Sequence, residues 1–157
     1  MSKIKVVEDV LTSERQFVTA RVAGKLFGLS IEAVHEVFSP EGITRVPLSP
    51  PEIEGVLNLR GRIVTTINLR RMLGLDEADC EHRMAVGLED RNETFGLIID
   101  EVGEVLTLDA AASEPPPSNL DRRWADIVSG VHRLPGELLL ILDVKRVLGG
   151  ISTEQAA

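Results

Sequence analysis

The stretch GVLNLRGRIVTTINLRRMLG, residues 55–74, predicts a strand, a tight turn, a second strand and a short closing helix. Arg60 and Gly61 stand between two apolar runs, which is typical of a two-residue β-hairpin turn. Asn68 can accept hydrogen bonds from the free amides at a helix start, and Gly74 can adopt the left-handed conformation that ends a helix. The unit is therefore predicted to be a hairpin followed by one or two helical turns.

The same unit returns 75 residues later as GVHRLPGELLLILDVKRVLG, residues 130–149. The two copies align without a gap, and their identical pairs are Gly55/Gly130, Val56/Val131, Leu59/Leu134, Gly61/Gly136, Arg71/Arg146, Leu73/Leu148 and Gly74/Gly149. A second pair of similar segments precedes the two copies, FGLSIEAVHEVF from Phe27 and FGLIIDEVGEVL from Phe95. The chain is therefore predicted to use one structural unit twice.

The composition favours a β-rich fold and argues against several classes of function. Apolar residues make up 43% of the chain, but there are only four Phe, one Trp and no Tyr, so Val, Ile and Leu have to fill the core. The formal net charge of −8 opposes binding to phosphate backbones, so no nucleic-acid partner is expected. The sequence has no apolar run of about 20 residues and no secretory signal, which predicts a cytoplasmic protein without direct membrane insertion.

Residues that commonly carry catalysis or bind metals are scattered along the sequence. His35, His82 and His132 are far apart, and none has a neighbour at metal-ligand spacing. Cys80 lies between two carboxylates, which disfavour a reactive thiolate. There is no phosphate loop, dinucleotide fingerprint or nucleophile elbow. We therefore predict no catalytic residue, no metal site and no cofactor, and we do not expect an enzyme.

Two local features outside the repeated hairpin also lead to predictions. Ser30 is a suitable residue to begin a short helix over residues 31–34. Asp100 and Glu101 are adjacent in a strand pattern and therefore point to opposite faces, so they are interpreted as solvated charges at a sheet edge.

The two hairpin turns differ in a way that folding does not require. Both need a glycine, but Arg60 and Arg62 flank the first glycine whereas Pro135 and Glu137 flank the second. An arginine in a hairpin turn is commonly a solvated side chain without a further role. Clustered arginines can also anchor the carboxylates or backbone carbonyls of a partner. Asn58 adds a polar side chain to this cluster and Arg70-Arg71 add positive charge, and the residues alone leave both interpretations open.

The run from Ile53 to Leu75, with FGLIIDEVGEVLTL and the closing hairpin, resembles CheW, an adaptor family of bacterial chemosensory signalling. The resemblance extends from about Gln16 to Leu148. It implies a mainly β fold of two five-stranded Src-homology-3-like barrels with short helices, related by a pseudo-two-fold axis. The expected organisation is an N-terminal tail (1–14), one domain (15–149) of two interleaved barrel lobes (first copy about 15–75, second copy about 84–149), and a C-terminal tail (150–157).

The resemblance also implies a function. CheW-like proteins are non-catalytic scaffolds that couple chemoreceptors to the histidine kinase CheA. The expected partners are therefore the regulatory domain of that kinase and the cytoplasmic tips of receptors, which would recruit this chain to membrane-associated arrays. Alone, the protein is expected to be a monomer. Two alternatives stay open, namely a paralogue in a non-flagellar chemosensory pathway and a small-ligand sensor that uses the cleft between the lobes.

The resemblance can be carried over to individual positions. The family's Asn-Leu-Arg-Gly turn matches residues 58–61, its preceding glycine matches Gly55, and its Val-x-Glu-Ile stretch is similar to residues 34–37. Thr65-Thr66 departs from the family, which commonly has Pro there, and Asn68 replaces its usual Asp. With Arg62 from the same turn, the expected partner-binding residues are Val34, Glu36, Gly55, Asn58, Arg60, Gly61 and Arg62.

Overall fold

The computed structural model describes residues 14–76 and 82–149. Within these residues the chain forms ten strands, which make two five-stranded sheets. Cys80 and most of both predicted tails lie outside the described residues, although Glu14 already belongs to the first strand. The prediction of a mainly β fold of two five-stranded Src-homology-3-like units with short helices is confirmed, because the ten strands form two five-stranded sheets.

The strands of sheet I are, in spatial order, β8 (Glu101–Asp109), β1 (Glu14–Val22), β2 (Lys25–Ser30), β10 (Glu137–Leu142) and β9 (Val128–Leu134). The strands of sheet II are, in spatial order, β3 (Val34–Phe38), β6 (Met84–Asp90), β7 (Glu93–Ile99), β5 (Arg62–Asn68) and β4 (Ile53–Leu59). The helical segments are α1 (Leu69–Met72), a 3-10 turn (Ala110–Ala112), α2 (Arg122–Ala125) and α3 (144–149).

Each sheet takes strands from both copies of the repeat. The first copy gives β1 and β2 to sheet I and β3 to β5 to sheet II, while the second gives β6 and β7 to sheet II and β8 to β10 to sheet I. Replacing every strand by its counterpart in the other copy converts one spatial order into the other. The parallel pairs, β2 with β10 and β7 with β5, join strands of different copies. Neither copy therefore completes a sheet by itself.

The short helices begin where the sequence predicts. The side chain of Asn68 accepts a hydrogen bond from the backbone N–H of Arg71 (3.1 Å), and that of Asp143 accepts one from Arg146 (3.2 Å). These bonds satisfy amides that have no partner inside the helix. The predicted helix over residues 31–34 is wrong, because residues 31–33 form a turn. Only residues 31–33 connect the end of β2 in sheet I to the start of β3 in sheet II, and three residues are too few for an α-helix.

A shared apolar core lies between the two sheets. It contains the matching aromatic residues Phe27 of sheet I and Phe95 of sheet II, both fully buried. Trp124 of α2 packs against Phe27, with 5.7 Å between ring centroids, and its indole N–H donates to the carbonyl of Leu73 after α1 (3.0 Å). Trp124, in the longer connection of the second copy, thus contacts both sheet I, at Phe27, and the end of α1, which follows the last strand of the first copy.

Asp100 marks the point where the chain crosses from sheet II to sheet I, between β7 and β8. Its carboxylate accepts hydrogen bonds from Nε (2.9 Å) and Nη2 (2.6 Å) of Arg70, and from the backbone N–H of Ala23 (2.8 Å). Only 18% of the Asp100 side chain and 17% of the Arg70 side chain are exposed. The interpretation of Asp100 as a solvated edge charge is therefore wrong, because the crossover places it against residues of the first copy. Glu101 is exposed.

Removing the Asp100 carboxylate should destabilise the fold in a pH-dependent way. The hydrogen bond from Arg70 is the main reason why the pKa of Asp100 lies below its ordinary value. The ionised group therefore stabilises the folded state above about pH 4, and this contribution is lost as the pH falls through the folded-state pKa. Asp100→Asn should lower the free energy of unfolding by about 2–3 kcal/mol at pH 7, slightly less than breaking a fully buried pair.

Urea denaturation at pH 7 and pH 3 measures this effect, and Glu101→Gln is the matched control at an exposed neighbouring carboxylate. The difference between wild type and Asp100→Asn should shrink at pH 3. An equal difference at both pH values would mean that the ion pair does not stabilise the crossover.

Candidate partner-binding surface

The predicted partner residues Arg60 and Glu36 meet at the tip of the β4–β5 hairpin. Nη2 of Arg60 is hydrogen-bonded to both carboxylate oxygens of Glu36, which lies in β3. Because β3 and β4 are the two edge strands of sheet II, this ion pair brings the two edges of the sheet together. The Arg60 side chain keeps 68% of its surface exposed and that of Glu36 keeps 38%. Both side chains therefore remain accessible to a partner.

A β-bulge in β3 determines how Val34 and Glu36 are presented. The register of β3 against β6 shifts between these two residues, and bulges commonly redirect side chains. His35, between them, places its Nε2 3.3 Å from a carboxylate oxygen of Glu89 in β6. Val34 is half-buried and packs against the shared core. Val34 therefore anchors the strand, while Glu36 reaches the hairpin tip.

The turn itself is held in a left-handed conformation. Arg60 has φ 52° and Gly61 has φ 85°, which is the two-residue geometry that fits the twist of a hairpin. The side-chain oxygen of Asn58 accepts a hydrogen bond from the Gly61 N–H (2.8 Å) and fixes this turn. A left-handed conformation costs about 1–2 kcal/mol at a residue other than glycine. Ala23 and Arg91 adopt the same conformation in the β1–β2 and β6–β7 turns, so the positive φ of Arg60 reflects the hairpin geometry and not its exposure to a partner.

Gly55 has a structural reason to be glycine. A Cβ at this position would collide with the carbonyl oxygen of Thr44, which accepts the N–H of Val56 (2.9 Å) in an isolated bridge. The second copy repeats the arrangement, with Gly130 close to the carbonyl of Glu114. The structure thus accounts for Gly55 by close backbone approach, and a direct partner contact at Gly55 stays a prediction.

Arg62 extends the candidate surface along β5. It is exposed and, with Ile63, Asn92 and Glu93, lines a cavity of about 380 Å³. Ile63 is 64% exposed, and our sequence analysis missed it as a surface residue. No sequence signal identifies Ile63, because apolar and polar residues do not alternate along RIVTTIN and the neighbouring Val64 is equally apolar but fully buried.

Arg70 and Arg71 do not join this surface. Arg70 pairs with Asp100 at the crossover, and Arg71 donates to the carbonyl of Pro51 (3.3 Å). Among residues 14–76 and 82–149, no group of three or more His, Cys, Asp or Glu side chains could hold a metal ion. In the same part of the chain, no helix has the length and apolar character of a membrane span.

Alanine substitutions should separate the structural residues from the accessible ones. Gly55→Ala should lower the free energy of unfolding by about 2–4 kcal/mol, because the bridge to Thr44 has to move. Arg60→Ala should change it by less than about 1 kcal/mol, since an exposed ion pair contributes little and alanine tolerates the left-handed conformation no better than arginine. Chemical denaturation measures both values. A strongly destabilised Arg60→Ala would mean that the ion pair serves folding.

Comparisons with known proteins agree with this fold. A family model described as the CheW-like domain matches residues 16–151. The chemotaxis protein CheW of Bacillus subtilis is 30% identical over 150 residues, covering 94% of this chain and 95% of that protein. The chemotaxis protein CheW of Treponema pallidum is 27% identical over 149 residues, covering 90% and 86%. The crystal structure of the scaffolding protein TtCheW from Thermoanaerobacter tengcongensis has 32% identity and a TM-score of 0.73, covering 82% of this chain and 88% of that chain.

Proposed function

This chain belongs to the CheW-like family, and we propose that it is a non-catalytic chemotaxis scaffold that couples chemoreceptors to a histidine kinase. The observation that carries the proposal is the extent of the family match. It runs from residue 16 to residue 151 and so includes all strands of both sheets apart from the start of β1. A scaffold that holds two different proteins needs two exposed surfaces, and the two lobes can each supply one.

The contrast between the two hairpin tips supports different partners for the two lobes. Sheets I and II have the same strand order, but sheet II carries Arg60 at its turn where sheet I carries Pro135. Arginine is enriched at protein–protein interfaces because its planar fork recognises carboxylates and carbonyls. Arg62 and the exposed Ile63 flank Arg60 and combine charge with apolar area. We assign the surface formed by Glu36, Asn58, Arg60, Arg62 and Ile63 to partner binding.

The proposed partners are the regulatory domain of a CheA-type kinase and the cytoplasmic tips of receptors. Binding to receptors would recruit the protein from the cytoplasm to membrane-associated arrays. The same scaffold would serve flagellar chemotaxis or another chemosensory pathway, and the receptors that co-purify with it would identify which.

Charge reversal at Arg60 tests the proposed surface. Arg60→Glu places a carboxylate beside Glu36 and should weaken binding to the kinase regulatory domain or the receptor tip at least about tenfold, because attraction becomes repulsion. Arg133→Glu is the matched control, since Arg133 is an exposed residue in β9 of the corresponding hairpin and also forms an ion pair, with Glu114. The control should bind within about twofold of wild type. Titration calorimetry measures the dissociation constants of both variants, and a receptor-coupled assay measures the kinase activity that each supports.

The double variant Arg60→Glu with Glu36→Arg distinguishes a structural role from a binding role. It restores the ion pair with reversed polarity, so it should remove the like-charge repulsion between positions 36 and 60 without recovering partner binding. Full recovery of kinase activation would mean that the pair serves only to join the sheet edges. Wild-type activation by a folded Arg60→Glu would remove the hairpin tip from the binding surface.

A further inference from the structure

Leu48, in the loop between β3 and β4, is fully exposed and has a left-handed backbone. Its side chain is as accessible as in an isolated peptide, at 104%, and its φ is 62°. Glycine and asparagine adopt this left-handed conformation readily, whereas leucine adopts it at a cost in free energy. Because the Leu48 side chain is exposed, its burial does not offset that cost. The loop is nevertheless held in place, because the Ser49 hydroxyl donates to the carbonyl of Val46 (2.8 Å) and Pro47 and Pro50 restrict the backbone. Leu48 is therefore a fixed apolar projection.

An apolar cleft lies directly beside this projection. It has a volume of about 320 Å³, and Leu48 stands at its edge. Its lining is mainly apolar and includes two hydroxyl side chains; the residues are Val46, Pro47, Leu48, Ser49, Pro50, Ile53, Val56 and Thr65. A leucine side chain would fit within this volume and find apolar contacts. The surface thus carries both a projection and a cleft.

A surface with a projection next to a matching cleft is complementary to itself. In a two-fold symmetric dimer, the same patch faces its own copy, so Leu48 of each molecule can enter the cleft of the other. The charges at the patch allow the same pairing. Arg45 and Glu52 flank the loop, are not fully buried and make no ion pair within the described residues. Across a two-fold axis, each cation can face the other molecule's anion.

We propose that this surface docks a second copy of the chain in a weak symmetric dimer. A second copy uses both features, whereas a partner that only fills the cleft leaves Leu48 in water. The contact is small, so the dimer should form with a dissociation constant on the order of 0.1 mM, and dilute protein should be monomeric. The proposal does not depend on the receptor or kinase binding proposed above.

Sedimentation velocity over a concentration series from about 5 µM to 1 mM tests the dimer. The weight-average sedimentation coefficient of the wild type should rise with concentration as dimer forms. Leu48→Asn removes both projections and should raise the dissociation constant about a hundredfold, at about tenfold for each leucine. The same variant should raise the thermal midpoint by about 2–4 °C, because asparagine tolerates the left-handed conformation. Val105→Asn, at an exposed apolar position in β8, is the control and should dimerise like the wild type.

A mixing experiment tests the reciprocal contact. Val56→Trp keeps Leu48 but fills the cleft, so this variant and Leu48→Asn should each be monomeric alone. In a 1:1 mixture, Leu48 of the first variant can enter the open cleft of the second, and a weak dimer should return. Circular dichroism verifies that both variants are folded.

Three results would each overturn the proposal. These are a wild type that stays monomeric at 1 mM, a Leu48→Asn variant that dimerises like wild type, and a mixture that does not associate. If the wild type is monomeric and Leu48→Asn instead weakens binding to the kinase or the receptor tip, the cleft belongs to that partner. A negative result for Arg60→Glu would not affect this test, because Arg60 lies outside the cleft wall.

Discussion

The pairing of strands from different copies is the constraint on which the rest of the structure depends. Four pairings join the copies, namely β2 with β10 and β5 with β7 in parallel, and β1 with β8 and β3 with β6 antiparallel. The chain crosses between the two sheets twice, from β2 to β3 and from β7 to β8, and so delivers strands of each copy to both sheets. Asp100 lies at one such crossing, where residues of the first copy neutralise and orient it. Because each copy completes the sheet of the other, the two lobes share one core and form a single structural unit.

This exchange gives a scaffold whose two lobes have the same strand order but different surfaces. The pseudo-symmetry fixes the positions of the hairpins and leaves the residues at their tips free to differ. In sheet II, Arg60 and Glu36 make an exposed ion pair across the sheet edges, whereas Pro135 takes the place of Arg60 in sheet I. The residues that vary between equivalent positions are therefore the ones that can assign different partners to the two lobes.

The sequence was sufficient to predict local structure but not pairing between distant strands. The hairpins and the helix start at Asn68 follow from short-range rules, and the structure has them where predicted. Aligned copies reveal which segments are alike, but not that β1 and β2 pair with strands of the second copy. The same limit explains why Asp100 was misassigned. The positive φ of Leu48 was also not predictable, because leucine rarely adopts it and no glycine or asparagine marks the position.

Separate production of residues 1–78 and 79–157 tests the strand exchange most directly. Each half contains one copy and should be unfolded or aggregated alone, since neither has the strands to complete a sheet. Produced together, the halves should co-purify at a 1:1 ratio and give the dispersed amide NMR spectrum of the intact chain. A native-like spectrum from either half alone would contradict the account, because each copy would then be an independent lobe.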